Sequence, residues 1–572
     1  MTQPRHPPAD LPHYDPGSRP TTDPRAGSTA TVVLTGADLT VGDVEAVARG
    51  GAPAALDAHA RARVAEAREV IARLVAAGEV VYGVTTGFGD LATTFIAAED
   101  AARLQENLLV SHAAGVGEPL PREIVRAMLL LRANTLALGH SGCRPELIDR
   151  LLVFLNLGIH PVVPEQGSVG ASGDLAPLAH LALPMIGRGQ VEFHGQTLPA
   201  LVALRETGLE PVTLDPKEGL ALLNGTQLMS AIGALVLADA DRLVRTASVA
   251  AAMSVEALLG TDVGFSAAYQ LARPHPGQVA VAAELRHLLR DSALQGSHRA
   301  TAHKVQDPYS LRCVPQVHGA VRDALDHLRR VLDIELNSAT DNPLVFPDGR
   351  AVADHVDAAA SHAAASHAAA SRETAFATGG GQVISGGNFH GEPIALALDF
   401  AKLALAELGS IAERRIALLV DPRLNGGLPP FLAPSSGLES GMMLYQYTAA
   451  ALASENKVLA HPASADSIPT SANQEDHVSM GAIAARHART VLVNVARIVA
   501  IELVVAAQAL ELRLRAEGQS DLRPGAGVAD ALARVRAAVP HLDRDREPGP
   551  DFAAATALVH EGRLADLVRA AH

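Results

Sequence analysis

Six long segments in the second half of the chain are patterned as helices, and they constrain the fold more than any other feature. Apolar residues recur there at helical spacing, and most of the segments exceed the usual helix length of about 11 to 12 residues. Helices of this length bury their apolar faces against one another. The sequence therefore predicts a mainly α protein with an elongated helical bundle at its centre, over residues 217–515. The segments are residues 217–260, 277–293, 315–338, 392–419, 440–460 and 477–515.

The chain before this bundle is less regular. Residues 80–91 (VVYGVTTGFGDL) are too rich in Gly and β-branched residues for a helix interior, and residues 161–177 form a loop with three Pro and three Gly. We expect a smaller mixed domain over residues 31–216. Its predicted helices lie within residues 55–79, 95–114 and 121–157, the last being two helices separated at residues 139–145.

Both ends of the chain differ in composition from the middle. Residues 1–30 are polar and Pro-rich and contain no apolar core, so they predict a disordered extension rather than a secretory signal. Residues 516–572 are rich in Arg, Ala and Asp and predict a peripheral C-terminal extension.

An Ala- and His-rich insertion at about residues 350–380 contains the repeat SHAAASHAAAS. Its histidines, His355, His362 and His367, could indicate metal binding, but their spacing matches no established zinc motif. A low-complexity surface loop accounts for the same residues, and we expect no metal site there.

Charge and cysteine content exclude several classes of function. The chain has 47 Lys and Arg against 62 Asp and Glu, a net charge of −15, which argues against a nucleic-acid binder. Two cysteines, Cys143 and Cys313, cannot form a disulfide framework and indicate a reducing, cytoplasmic compartment. The most apolar stretch, residues 498–512, is interrupted by Glu502, Gln508 and Glu511. It predicts a buried helix rather than a membrane span.

Common catalytic motifs are missing from the sequence. It contains no Gly-Lys pair for a P-loop and no HExxH zinc motif, and Asp174 stands where a lipase-type G-x-S-x-G would need its last glycine. Only four lysines are available for a Schiff base, and none lies in a Gly/Ser-rich phosphate loop.

Residues 167–180 (GSVGASGDLAPLAH) allow a different chemistry. In a tightly bent loop, the amide nitrogen of Gly173 can attack the carbonyl of Ala171, and glycines permit the backbone conformations that this requires. Loss of two waters then leaves a five-membered ring with a methylidene group derived from Ser172. The product is a strong electrophile made without an added cofactor. From these residues alone, a Gly-rich loop before a helix capped by Asp174 is an equally admissible interpretation.

The same fourteen residues resemble the signature of the aromatic amino acid ammonia-lyase family, whose prosthetic group is this methylidene-imidazolone (MIO). The resemblance extends over residues 32–515 and includes five further blocks in the family's order. It implies an aspartase/fumarase-like helical bundle, an MIO formed autocatalytically from Ala171, Ser172 and Gly173, and a homotetramer with active sites shared between subunits. The blocks are YGVTTGFG with Tyr82, LLNGTQ with Asn224, KVQDPYSLRC with Gln306, Tyr309 and Arg312, SGGNFHGEP with Phe389, and TSANQEDHVSM with Gln474 and Glu475.

Two positions bear on the substrate. The pair Ser111-His112 and residues 474–477 (QEDH) resemble the histidine-specific members of the family. A buried imidazole needs hydrogen-bond partners for both ring nitrogens, and His112 and Glu475 can supply them where a phenyl ring could not use them. The resemblance therefore implies elimination of ammonia from L-histidine.

The resemblance also implies a role for each matched residue. Tyr82 would remove the β-proton, Tyr309 would assist at the MIO, and Arg312 would hold the substrate carboxylate. Asn224 and Gln306 would position the amine and the MIO oxygen, and Phe389 would shape the pocket. Taken singly, these residues have structural interpretations: His112 as a helix-end histidine, Glu475 as a helix N-terminal charge, Arg312 as a structural arginine, Tyr82 and Tyr309 as core aromatics, and Phe389 as packing.

Several alternatives stay open at this stage. The chain could be a phenylalanine or tyrosine ammonia-lyase, or a 2,3-aminomutase that re-adds the ammonia. It could also be an inactive helical assembly protein, although such a protein would be expected to have lost Ser172, Tyr82 or Arg312. One departure from the family is Glu439, in GLESG, where histidine-specific members have Asn.

Overall fold

The computed structural model describes residues 30–79, 81, 84, 86, 96, 100–298, 305–347, 375–378, 381–516 and 522–569. Helices dominate these residues, which confirms the prediction of a mainly α protein. Four small sheets of two or three strands accompany them. The predicted extension over residues 1–30, apart from Ala30, and the three insertion histidines lie outside the described residues.

The first part of the chain combines short helices with most of the strands. Its helices are α1 (Val41–Ala48), α2 (Ala58–Ala76), α3 (Ala101–His112), α4 (Arg122–Ala137), α5 (Pro145–Leu157), α6 (Leu175–Ala182) and α7 (Ala200–Glu206). Its strands are β1 (Val32–Leu34), β2 (Ala54–Leu56), β3 (Val116–Pro119), β4 (His160–Pro161), β5 (Pro164–Gln166), β6 (Gln190–Phe193) and β7 (Gln196–Pro199). The pair β1–β2 is parallel, and β3–β5 and β4–β6–β7 are antiparallel. The predicted break between α4 and α5 is confirmed.

The rest of the chain contains the long helices. They are α8 (Glu218–Leu223), α9 (Gln227–Ala257), α10 (Ala267–Leu271), α11 (Pro276–Leu288), α12 (Ala293–His298), α13 (Tyr309–Arg312), α14 (Val314–Glu335), α15 (Glu392–Val420), α16 (Met443–Leu459), α17 (Gly481–Arg515), α18 (Ala526–Ala538), α19 (Gly549–Glu561) and α20 (Asp566–Arg569). Strands β8 (Leu344–Phe346), β9 (Ala375–Thr378) and β10 (Gly381–Ile384) form an antiparallel sheet in the order β8–β10–β9.

Helices α9, α15 and α17 lie side by side and run in the same direction. At the far end, Arg513 near the end of α17 donates to the carbonyl of Ala257, the last residue of α9, at 3.2 Å. Helix α14 runs the opposite way, because Thr226, just before α9, donates to Glu335 at the end of α14 at 2.5 Å. The bundle therefore has one end where α9, α15 and α17 begin and another where they finish.

The three parallel helices are joined inside the bundle by one buried ion pair. Arg415 of α15 donates to both oxygens of Glu502 of α17, and Ser254 of α9 donates to Glu502 at 2.8 Å. Arg415 and Glu502 are fully buried. Apolar side chains alone would allow neighbouring helices to slide, whereas a buried charge pair has a single favourable register.

Helix α17 is long and apolar enough to cross a membrane by length and composition, and 83% of its most apolar window is buried inside the protein. The prediction that residues 498–512 belong to a buried bundle helix is therefore confirmed. One cluster of buried apolar residues runs from Leu34 to Val568. It crosses the domain boundaries predicted at residues 216 and 515, which stay predictions.

Candidate active site

The GSVGASGD loop lies at the end of the bundle where the three parallel helices begin, and its glycines are required by the fold. Gly170 and Gly173 have positive φ angles of 68° and 80°. A Cβ atom on Gly173 would lie 2.2 Å from the carbonyl oxygen of Gly225, and one on Gly170 would lie 2.2 Å from Oγ of Ser479. No side chain can be accommodated at either position without moving the neighbouring segment. The loop is therefore held bent against the turn that precedes α9.

Asp174 stabilises this arrangement in a way that the sequence did not indicate. It occupies the position before α6, but its carboxylate makes no cap hydrogen bond to that helix. Oδ2 accepts instead from the amides of Leu228 and Met229 at 2.9 and 3.1 Å, and Oδ1 accepts from Ser168. The expectation that Asp174 caps the next helix is thus wrong: it caps α9, because the bent loop turns the carboxylate toward that helix.

Burial raises the pKa of Asp174 to about 7, and the hydrogen bonds from Met229, Ser168 and Leu228 oppose this shift.

Three long helices direct their N-termini at this loop. Asp174 binds the first turn of α9, the amide of Gly391 just before α15 donates to Gly170 at 3.3 Å, and the amide of Met480 just before α17 donates to Val169 at 2.8 Å. Each helix N-terminus carries a partial positive charge. Their convergence stabilises negative charge that develops at the loop.

Ser172 and Glu475 are in direct contact. Oγ of Ser172 donates to Oε1 of Glu475 at 2.6 Å, and Thr470 donates to Oε2 at 2.6 Å. Backbone hydrogen bonds between Thr470 and Glu475 close a short antiparallel bridge that holds the carboxylate in place. Residues 303 positions apart are thereby brought together.

His112 lies near enough to Glu475 for the two to interact electrostatically. Its Nδ1 is 2.9 Å from the carbonyl of Leu108, which can only accept, so Nδ1 carries the proton and neutral His112 offers Nε2 as an acceptor. Burial lowers the pKa of His112, while the carboxylate of Glu475 raises it.

Asn224 and Phe389 join the same group through their backbone neighbours. Asn224 ends α8, and the next residue, Gly225, accepts from the amide of Asp174 at 2.6 Å. Phe389 is half-buried and lies two residues before Gly391, whose amide contacts the loop. Ala171, Ser172, Gly173, Asn224, Phe389, Glu475 and His112 thus belong to one end of the bundle.

Gln306, Tyr309 and Arg312 form a second group elsewhere. Arg312 donates to Gln306 at 3.0 Å and lies 4.5 Å above the ring of Tyr309, which is 70% exposed. The carbonyl of Ser310 accepts from Arg415 in the last third of α15. This group therefore lies at the opposite end of the bundle, separated from Ser172 by the 22 residues of α14, a length of about 33 Å. Within one chain, the predicted site is divided in two.

Two further predicted positions have separate outcomes. Tyr82 lies outside the described residues. Both carboxylate oxygens of Glu439 accept backbone amides, from Ser435 at 2.9 Å and from Asp545 at 3.3 Å. The departure at Glu439 thus connects its loop to the C-terminal part of the chain.

Sequence reasoning missed Arg132 and Thr470. Arg132 is completely buried in α4 and donates to the carbonyl of Asn224 and, at 2.8 Å, to the side chain of Gln227. Its position within the apolar run MLLLRANTLAL was a signal, because arginine is rarely buried without a specific partner. Thr470 offered no comparable signal.

Comparison with known proteins gives a consistent result. The family model for aromatic amino acid lyases matches residues 39–537. A protein from Symbiobacterium thermophilum named histidine ammonia-lyase is 52% identical over 535 residues, covering 94% of this chain and 98% of its own length. The structure of histidine ammonia-lyase from Trypanosoma cruzi is similar with a TM-score of 0.82 and 43% identity, covering 95% of this chain and 96% of that one. A tyrosine aminomutase from Streptomyces globisporus has a TM-score of 0.83 and 37% identity, covering 94% and 98%.

Proposed function

Because this chain belongs to the aromatic amino acid lyase family, we propose that it eliminates ammonia from L-histidine and releases trans-urocanate. This reaction is that of a carbon–nitrogen lyase and is the first step of histidine degradation. The observation that carries the proposal is the hydrogen bond between Ser172 and Glu475, with His112 close enough to Glu475 for an electrostatic interaction. These polar side chains suit an imidazole and would be left unpaired by a phenyl ring.

Ala171, Ser172 and Gly173 fit the MIO that family membership implies. Gly173 is pressed against Gly225 so closely that only glycine can occupy the position, and Ala171 is buried. The positive φ of Gly173 and this close approach support a tight bend of the kind that ring closure would require. The MIO would supply an electrophilic methylidene carbon, the chemistry that would make the substrate amine a better leaving group. No external cofactor is needed.

His112 and Glu475 would bind the imidazole of the substrate. Neutral His112 accepts a hydrogen bond at Nε2 and so suits the N–H of the substrate ring. Glu475 donates to the other ring nitrogen when it carries a proton, and accepts from it when the ring is charged. The pair thus contacts both nitrogens.

Arg312 would hold the substrate carboxylate as a planar, bidentate partner. Its hydrogen bond to Gln306 and its stacking on Tyr309 keep the guanidinium oriented. Gln306 and Asn224 would position the amine side, Tyr309 would act as an auxiliary acid or base, and Phe389 would limit the pocket.

Tyr82 would remove the β-proton of the substrate. An unperturbed tyrosine titrates near 10, so this role requires surroundings that favour the phenolate.

We further propose a homotetramer whose active sites are shared between subunits. The two groups of site residues are too far apart to act together within one chain, so Arg312 of one subunit must meet Ser172 of another. Helix α15 exposes Leu396, Phe400 and Leu403 on one face, each about half exposed. Their helical spacing gives an apolar stripe of the kind that a second copy covers.

The partner expected is therefore another copy of this chain and an amino acid substrate, with neither nucleic acid nor membrane. We propose a cytoplasmic location, supported by Cys143 and Cys313, both free thiols.

The remaining candidates are a phenylalanine or tyrosine ammonia-lyase and a 2,3-aminomutase. The similarity to a tyrosine aminomutase keeps the second candidate open, because an aminomutase shares the fold and retains the ammonia. The His112–Glu475 pair favours histidine over both aromatic substrates, and the mutase differs only in product.

One assay separates these candidates. Purified protein is incubated separately with L-histidine, L-phenylalanine and L-tyrosine, and the products are identified by chromatography with mass detection. We expect urocanate and ammonia from histidine. Cinnamate from phenylalanine without urocanate from histidine would reject the substrate assignment, and β-histidine would identify an aminomutase.

The proposed MIO residues, Ala171, Ser172 and Gly173, are tested separately with Ser172→Ala, which removes the hydroxyl that must leave to form the methylidene. We expect loss of activity in a folded protein, and full activity in this variant would reject an MIO-based reaction.

A further inference from the structure

The hydroxyl of Ser172 is the group that must leave when the methylidene of the MIO is made. In the folded chain this hydroxyl is already hydrogen-bonded. It donates to Oε1 of Glu475 at 2.6 Å. A hydroxyl is a poor leaving group unless an acid protonates it as the bond breaks. When Glu475 carries a proton, the same contact reverses and Glu475 donates to Oγ of Ser172, so the two atoms are placed for that proton transfer before any substrate is present.

The other carboxyl group of the loop is unsuited to this step. Both oxygens of Asp174 are occupied by Ser168 and by the first turn of α9, and the side chain is completely buried beneath the loop. Glu475, in contrast, has one oxygen fixed by Thr470 and the other directed at Ser172. Among the residues that the structure describes, it is the carboxyl group in contact with the departing hydroxyl.

We propose that Glu475 has a second catalytic role: it is the acid that dehydrates Ser172 and so completes the prosthetic group. This inference rests on the proposed MIO but not on the substrate. Glu475 would thus act once on its own chain during maturation and afterwards on the substrate imidazole.

The step balances without an added reactant. Closing the ring joins the nitrogen of Gly173 to the carbonyl carbon of Ala171 and expels that oxygen as one water, with the two amide protons of Ser172 and Gly173. The Cα–H bond of Ser172 then breaks, its electron pair forms the Cα=Cβ double bond, and the Cβ–Oγ bond breaks. Glu475 donates its proton to the departing oxygen, which leaves as the second water. The Cα proton restores the acid form of Glu475.

Mass spectrometry of Glu475→Gln tests this role without reference to activity. Glutamine keeps the shape of the side chain and its hydrogen bonds to Ser172 and Thr470, but it cannot deliver a proton as an acid. We expect the wild-type chain to be two waters lighter than its sequence. We expect the proteolytic peptide of Glu475→Gln that contains Ser172 to be at least one water heavier than the mature peptide, because it retains the hydroxyl.

Two variants serve as controls. Asp476→Asn changes the neighbouring, exposed acid in the same loop and should mature as completely as the wild type. Glu475→Asp keeps the acid but shortens its reach, so it should lose both waters more slowly than the wild type and more completely than Glu475→Gln. Circular dichroism and gel filtration establish that each variant is folded and assembled.

A folded Glu475→Gln chain that loses both waters as fast as the wild type would overturn the proposal. This result is distinguishable from failure of the proposed function. If the wild-type chain itself lost no water, the MIO assignment would fail. If it lost two waters but released no urocanate from histidine, only the substrate assignment would fail.

Discussion

Glu475 is the residue on which the polar contacts of the site converge. It accepts from Ser172 and Thr470, and its charge raises the pKa of His112 against the effect of burial. His112 in turn has its Nδ1 proton committed to Leu108, which leaves one defined lone pair for a ligand. In the proposed site, substrate choice would therefore depend on two side chains whose hydrogen-bonding roles are largely set before substrate arrives.

Replacing His112 by Phe should lower kcat/KM for L-histidine by about 5- to 150-fold, because one hydrogen bond to a buried imidazole, about 1–3 kcal/mol, is lost. The ratio of kcat/KM for L-phenylalanine to that for L-histidine should rise. Steady-state kinetics with both amino acids checks the prediction.

The matched control is His59→Phe, which changes an exposed histidine on α2 and should leave both values unchanged. Unaltered kinetics for His112→Phe would show that the substrate ring does not contact this side chain.

His160 makes the stability of the fold sensitive to pH. It is 7% exposed, and burial together with the nearby charge of Arg126 lowers its pKa to about 4. An unfolded histidine titrates near 6.5, so between these values the unfolded chain binds the extra proton. The contribution of His160 is fully present above pH 6.5 and is lost as the pH falls toward 4, by up to about 3 kcal/mol.

The variant His160→Gln cannot titrate and should show a flatter dependence of Tm on pH between 7.5 and 4 than the wild type. His59→Gln, at an exposed position, should follow the wild type. Parallel curves for His160→Gln and the wild type would contradict this role for His160.

At the scale of elements, the break between α8 and α9 organises the site. Residues 224–226 interrupt what the sequence predicts as one helix over 217–260. Asn224 is extended there. Gly225 has a φ of 149°, and its carbonyl accepts a hydrogen bond from the amide of Asp174. The buried guanidinium of Arg132 holds this break through the carbonyls of Ala221 and Asn224.

Replacing Arg132 by Met should release the turn at residues 224–226, against which residues 171–173 are bent. The carbonyls of Ala221 and Asn224 and the side chain of Gln227 lose their donor, each at a cost of about 1–3 kcal/mol, so Tm should fall. The fraction of folded chains that have lost two waters should fall as well, because Gly225 no longer presses on Gly173. Intact mass and thermal unfolding measure the two effects.

Arg126→Met provides the matched comparison on the same helix. Arg126 also donates to backbone carbonyls, those of Val47 and Leu155, but away from the loop. This variant should lose stability and mature completely. If both variants matured equally, Arg132 would be only a structural arginine.

Most helix positions could be predicted from the sequence, and the exceptions have physical reasons. Helix periodicity and breakers located α4, α5 and the long helices within a few residues. Hydrophobic periodicity does not reveal the break at residues 224–226, because the residues on both sides of it are equally apolar. Asp174 was assigned to the wrong helix because local capping rules consider only the next helix in sequence, whereas the bent loop brings a distant one closer.

At the scale of the whole molecule, the parallel arrangement of α9, α15 and α17 divides the site. Their N-termini meet at the loop that contains residues 171–173, while Arg312, Tyr309 and Gln306 lie where α14 begins, about 33 Å away. The sequence motifs give a set of site residues that stays a prediction. The motifs could not show that one chain places these residues at two ends of the bundle, because that depends on which end of a long helix each motif adjoins.

Mixing two inactive variants tests the shared site most directly. Ser172→Ala lacks the hydroxyl that must leave to form the methylidene, and Arg312→Ala lacks the proposed partner of the substrate carboxylate, so each homo-oligomer should release almost no urocanate from L-histidine. The two chains are co-expressed with different affinity tags, and oligomers containing both are isolated in succession.

If Ser172 and Arg312 of one site come from different subunits, some sites in the mixed oligomer combine an intact Ser172 with an intact Arg312. We expect urocanate formation at roughly between a quarter and a third of the wild-type rate, because random assembly makes one site in about four competent and the isolation removes oligomers of a single chain. Mixed oligomers that contain both chains and remain as inactive as either variant alone would contradict it.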